Sequence, residues 1–208
     1  MQKPATLIPP AVLAGALLLS APSAHAHHAE FMSNAPFLQG LSMPVHGVDH
    51  LLSALAVGLV ASRVTARGTS SLLLAAYALV ALAAGLLNVS GTTLPDFAVP
   101  LTVAATGALL WRGWRGGWVP AFLTVAAAGL CHGNALMNQP AGGGHWALFA
   151  AGCLGATLAV CLTGLLAGRL LAESRLRLAG AALLACTALV FLFPEANGVL
   201  VQLLEGPR

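Results

Sequence analysis

Between residues 44 and 204 the chain runs through six apolar stretches, roughly 44–62, 70–88, 97–112, 118–136, 145–168 and 176–204, with short polar breaks between them. This succession constrains the fold more than any other feature. Wound as a helix at about 1.5 Å per residue, a stretch of this kind covers the hydrocarbon core of a bilayer, about 30 Å. In lipid only helices and closed barrels satisfy their own backbone groups, and the dyad alternation of barrel strands is missing here. The expected fold is therefore an all-α membrane protein, a six-transmembrane-helix bundle. Composition agrees. The chain is 58% hydrophobic and 7% charged, against about 25% charged in soluble domains, so it lacks the polar groups to cover a water-facing surface. The net charge of +3 comes from few groups. Without an interleaved aromatic and basic patch, nucleic acid is not an expected partner; the lipid bilayer is.

The segment ahead of the bundle reads as a secretory signal peptide over residues 1–26. Lys3 is a thin basic start, "AVLAGALLLSA" a short apolar core, and Ala24 and Ala26 of "SAHA" occupy the small-residue cleavage positions. Cleavage after Ala26 would leave a tail, 27–43, opening with His27 and His28, then the membrane domain, 44–204, and a short C-terminal tail, 205–208. Arginines set the direction. Arg63 and Arg67 follow the first stretch, Arg112 and Arg115 the third, and Arg169, Arg175 and Arg177 separate the last two. The breaks "NVSGTTLPD" and "NQPAGGG" carry no Lys or Arg. The positive-inside rule places the arginine loops in the cytoplasm and both termini outside, in the periplasm of a bacterial inner membrane. Small residues repeat every fourth position, Ala54, Gly58 and Ser62 in one stretch and, in a similar row with Val160 at its middle, Gly152, Ala156, Gly164 and Gly168 in another. Such rows allow helix backbones to pack closely. The four cysteines form no C-x-x-C pair, and Cys153, Cys161 and Cys186 read as small apolar residues at helix contacts.

On that topology the imidazoles and most carboxylates gather at the outer side, opposite the arginines. Ionisable groups within membrane segments are expensive, so they mark sites. In "MPVHGVDHLL" a helix begun at Pro44 would place His46 and His50 at i and i+4, on one face and able to share an ion. Asp49 would join as a ligand or as an acceptor orienting an imidazole. Met43 lies one turn earlier. A second group, "GLCHGNALMNQP", supplies His132, with Cys131, Asn134, Met137 and Gln139 beside it. Imidazole suits nickel, copper and zinc, and carboxylate adds charge. His145 reads as interfacial, Asp96 as an N-cap, and Glu195 as a residue at the outer face.

These residues carry a family resemblance. The signal peptide ending in "AHAHH", the six short spans and the run P-x-x-G-x-D-H-L-L-x-x-x-A-V-G-L resemble the HupE/UreJ family of nickel/cobalt permeases. Pro44, Gly47, Asp49 and His50 match its first-span motif, H-P-x-x-G-x-D-H. His132, Gly133 and Ala135 match a fourth-span motif close to F-H-G-x-A-H-G-x-E. The departures are Met43 for the first His, Cys131 for Phe, Leu136 for the second His, Met137 for Gly and Gln139 for Glu. The resemblance implies transport of a metal ion, nickel or cobalt, as substrate and not as a resident cofactor. Met43, Met137 and Cys131 would favour a softer ion such as Cu(I) if they face the site.

The expected function is secondary uptake of a divalent transition metal, captured by His27 and His28 and passed to His46, Asp49, His50 and His132. No Walker motif is present, so the chain itself does not use ATP. Three rivals are carried forward: a paralogue that binds metal without transporting it, a copper-type permease, and an intramembrane zinc hydrolase built on the H-x-x-acid-H form of His46, Asp49 and His50. The sequence leaves a homo-oligomer open.

Overall fold

The structure is a computed structural model that describes residues 35–46, 48–64, 68–89, 94, 98–136 and 145–192. The expected signal peptide, the tail with His27 and His28, Arg67, Asp96, Met137, Gln139, Glu195 and the C-terminal tail lie outside the described residues. The described chain is all helical, with seven helices and no strand. They are α1 (Pro36–His46), α2 (Val48–Ala61), α3 (Thr69–Val89), α4 (Ala98–Trp111), α5 (Trp118–Leu136), α6 (Trp146–Leu170) and α7 (Glu173–Leu192).

Three of these, α3, α5 and α6, are long and apolar enough to cross a membrane, and a fourth span results if α1 and α2 are counted as one broken crossing. Each of α2 and α4 has 14 residues, about 21 Å of helix.

The first apolar stretch differs from the expectation of a single span beginning at Pro44. Helix is already present at Pro36, ahead of the start expected at Pro44, and Pro44 is a buried residue inside α1. A second helix, α2, then leaves at 72° to α1. Pro44 has no N–H to bond the Gly40 carbonyl, which weakens the last turn of α1. Pro36, not Pro44, takes the first-turn position that proline favours.

Packing follows the small residues. The chain directions of α2 and α6 are parallel, and the two small-residue rows face each other. A Cβ on Gly58 would strike the Cys161 carbonyl, one on Gly164 the Leu55 carbonyl, and one on Gly168 the Ser62 hydroxyl. Gly152, in the first turns of α6, receives Phe37 and Leu41 of α1. Thus α6 carries both halves of the broken element, while α3 lies on α5 and α4 on α7. Between them sits a core containing Val57, Val60, Leu73, Tyr77, Val125 and Leu176. Leu72, Leu79 and Leu86, spaced by seven on α3, are exposed on the outside, as lipid-facing residues are.

At one end of the bundle three arginines converge on Glu173. Arg177 Nη2 lies 2.7 Å from its carboxylate, Arg115 Nη2 2.9 Å and Arg63 Nη2 3.4 Å. The Arg177 hydrogen bond comes first among the causes that hold the Glu173 carboxyl below its usual range, followed against it by desolvation and then, with it, by the charges of Arg115, Arg177 and Arg63. The ends of α2 and α4 and the start of α7 therefore share one end of the molecule, as the arginine pattern requires.

Candidate metal-handling site

The site is built at the opposite ends of α2 and α5. Asp49 occupies the first turn of α2, where an acid complements the helix dipole, and His50 follows it. Across from them, the last turn of α5 carries His132. Two neighbours hold that turn in place. Gly133 lets α5 approach α3 so closely that a Cβ there would strike Ala81 O. Asn134 accepts the Leu94 N–H through Oδ1 at 2.8 Å and donates through Nδ2 to the Ala84 carbonyl at 3.3 Å. These contacts tie Leu94 and α3 to the end of α5 that carries His132.

There the two imidazoles meet. His50 Nδ1 lies 2.9 Å from His132 Nδ1. The rings stand edge to face, with centroids 5.1 Å apart and planes at 79°. His132 Nε2 is 3.2 Å from Thr102 Oγ1 on α4, and that hydroxyl donates to the Val99 carbonyl at 2.8 Å. One turn on, the buried Thr106 hydroxyl points back to the carbonyls of Thr102 and Val103, at 3.0 and 2.9 Å. His132 is 1% exposed, while His50 and Asp49 are half-buried. Below His50 on α2, Ser53 Oγ is fully buried without a hydrogen-bond partner among the described residues.

Of the residues expected at the site, the structure brings His50 and His132 together, with Asp49 beside them. His46 closes α1 and so does not share a continuous helix with His50; the described structure says nothing of its side chain. His46 and His50 therefore stand on two helices rather than on the single one expected. Among the described residues no three His, Cys, Asp or Glu side chains form a group able to hold a metal. Successive residues on a helix point about 100° apart, so Asp49 and His50 do not converge merely by adjacency. Met43 is half-buried on α1. Cys131 is a free thiol of intermediate exposure. His145 is exposed at the N-cap of α6, where its side chain makes no capping bond and its carbonyl takes the N–H groups of Leu148 and Phe149.

Thr102 and Ser53 were missed by sequence reasoning. A census of hydroxyls in the apolar stretches, beside that of imidazoles, would have raised both.

The family model described as HupE / UreJ protein matches residues 15–191, most of the chain. The chain belongs to the HupE/UreJ family. Among curated proteins and among solved structures, none matches it. Family membership and the apolar helices together identify a membrane protein. The HupE/UreJ family is related to nickel and cobalt transport and is associated with transporters and accessory proteins rather than enzymes. In this HupE/UreJ protein the paired imidazoles belong to the two stretches that resemble the family's motifs: His50 closes the first, and His132 opens the H-G-x-A core of the second.

Proposed function

We propose that the protein is a secondary permease that takes up a divalent transition-metal ion, nickel or cobalt, across the bacterial inner membrane. The observation that carries this reading is the imidazole pair of His50 and His132, joined across α2 and α5 in a bundle whose other buried polar residues, among those described, are serines, threonines and Asn134. Membrane-embedded ionisable groups are costly and are kept for a task. Borderline ions such as nickel and cobalt match imidazole with carboxylate, and Asp49 supplies the carboxylate beside the pair.

In this account the mature protein starts at His27 and spans the membrane six times, with the shorter α4 and the charged-ended α7 counted as crossings. Both termini face the periplasm and the Glu173 cluster the cytoplasm. His27 and His28 capture the ion. It passes to a site on His50 and Asp49, with His132 behind and His46, Met43, Cys131 and Met137 as further donors. The positive-inside bias of the arginine loops supports the orientation. Inward movement of a cation is driven by the membrane potential.

A second reading, a paralogue that binds metal without transporting it, is favoured by Leu136 and Gln139 standing where the family motif has His and Glu. Accumulation of nickel, cobalt, copper and zinc, each at low concentration, in cells lacking their own importers separates the two. The permease reading expects nickel or cobalt to accumulate with the wild-type protein and not with Asp49→Asn. If the membrane-inserted wild-type protein accumulates none of the four, the binding paralogue stands instead. Accumulation of copper alone would select the copper-type permease.

A further inference from the structure

The hydrogen bonds around His132 have one consistent direction. The Thr102 hydroxyl donates its single proton to the Val99 carbonyl at 2.8 Å. Its oxygen, 3.2 Å from His132 Nε2, is left to accept. With the hydroxyl proton on the Val99 carbonyl, Nε2 of His132 carries the ring proton, and in the neutral ring Nδ1 is bare. The proton in the 2.9 Å contact between the two Nδ1 atoms then belongs to His50. This leaves His50 with a bare Nε2, to which no described residue is hydrogen-bonded. Burial runs the same way: His132 is 1% exposed and His50 is half-buried.

We infer that Nε2 of His50 is the atom facing the transported ion and that His132, locked by Thr102, is a positioning residue and not a ligand. The inference rests on the permease reading of the same site. Metal-bound imidazoles donate their other N–H to a second group, which fixes the tautomer and the ring plane and raises basicity. Here the second group is another imidazole, which accepts at Nδ1 only while its own proton stays on Nε2. Thr102 secures that. It connects the Val99 carbonyl of α4 to His132, and His132 to His50. Without the hydroxyl, His132 is free to carry its proton on Nδ1. Two N–H groups would then oppose each other, and His50 would lose both its orientation and its preferred tautomer.

The test is nitrogen-15 NMR of the full-length protein in lipid nanodiscs, labelled at histidine, at a pH where imidazole is neutral. The metal-free protein is expected to show His132 protonated at Nε2 and His50 protonated at Nδ1. Zn²⁺, a diamagnetic probe, is expected to move the His50 Nε2 resonance and to leave His132 Nδ1 in place. Thr102→Val is expected to mix the His132 tautomers and to lower nickel uptake by about 10–100-fold, and Thr102→Ser to restore both. A His132 proton on Nδ1 in the metal-free wild type would overturn the inference, whatever the protein transports. So would coordination of Zn²⁺ by His132 Nδ1, or a Thr102→Val protein with wild-type tautomers and uptake. Because the metal-free measurement needs no transport, failure of the permease reading and failure of the relay are told apart.

Discussion

Among the described residues, most polar side chains are either paired or placed where water can reach them, Ser53 Oγ and Trp146 Nε1 being buried without a partner. His132 exemplifies the first case, with both ring nitrogens engaged by groups from two other helices. A neutral, doubly bonded imidazole is the inexpensive way to bury histidine, since an unpartnered polar group loses its hydration without return. Glu173 exemplifies the second: one carboxylate serves three arginines from separate parts of the chain. Its folded pKa is depressed, first by the Arg177 hydrogen bond. A carboxyl of this kind contributes stability above its unfolded value, near 4.5, and loses it as pH falls through the lower folded value. The Glu173→Gln protein in detergent is therefore expected to show a shallower loss of melting temperature through that acidic window than the wild type. Parallel pH profiles would mean that the cluster contributes nothing to stability, the common outcome for exposed ion pairs.

At the scale of helices, the contacts are made by residues that lack side chains. The small-residue rows of α2 and α6 were legible in the sequence because a spacing of four is a geometric statement about one helix face. That the rows would find each other, rather than two other helices, was not legible, because every apolar stretch carries small residues. The broken first element was hidden for a similar reason. Hydropathy sees 44–62 as continuous, while the change of axis depends on how α1 and α2 each settle on α6. Pro44 gave the local cue but was placed at a helix start, where proline is equally at home. The His50–His132 pair was half legible: both residues could be chosen from their setting, but their distance depends on Gly133 and Asn134 holding α5 against α3. Gly133→Ala forces a Cβ onto the Ala81 carbonyl, and overpacking of this kind costs about 1–3 kcal/mol. It is expected to lower the melting temperature and to reduce metal uptake by moving His132 away from His50. Gly155→Ala is the control, on the exposed side of α6, where an added Cβ meets nothing within 4 Å. It is expected to raise helix stability by about 0.5–1 kcal/mol and to leave uptake unchanged. If the two variants behave alike, close approach of α5 to α3 does not govern the site.

For the molecule as a whole, the two ends have opposite characters. One carries the imidazole pair and Asp49, the other the arginines gathered on Glu173. A permease made this way would attract a cation at the first end and leave its inward movement to the membrane potential, worth roughly 4.6 kcal/mol per 100 mV for a divalent ion. The fold class, the crowding of small residues and the arginine-rich end follow from composition and spacing. The tautomer chain through Thr102 does not, since it exists only once α2, α4 and α5 are packed. The central claim is that His50, held by His132, lies on the path of the ion, and reconstitution tests it most directly. Purified protein in sealed vesicles holding a nickel-sensitive dye would be given external Ni²⁺ and a potential negative inside. The account predicts potential-dependent Ni²⁺ entry with the wild-type protein and loss of that entry with His50→Ala, while His145→Ala, altered at the exposed cap of α6, keeps it. Ni²⁺ entry through the His50→Ala protein at the wild-type rate would contradict the account.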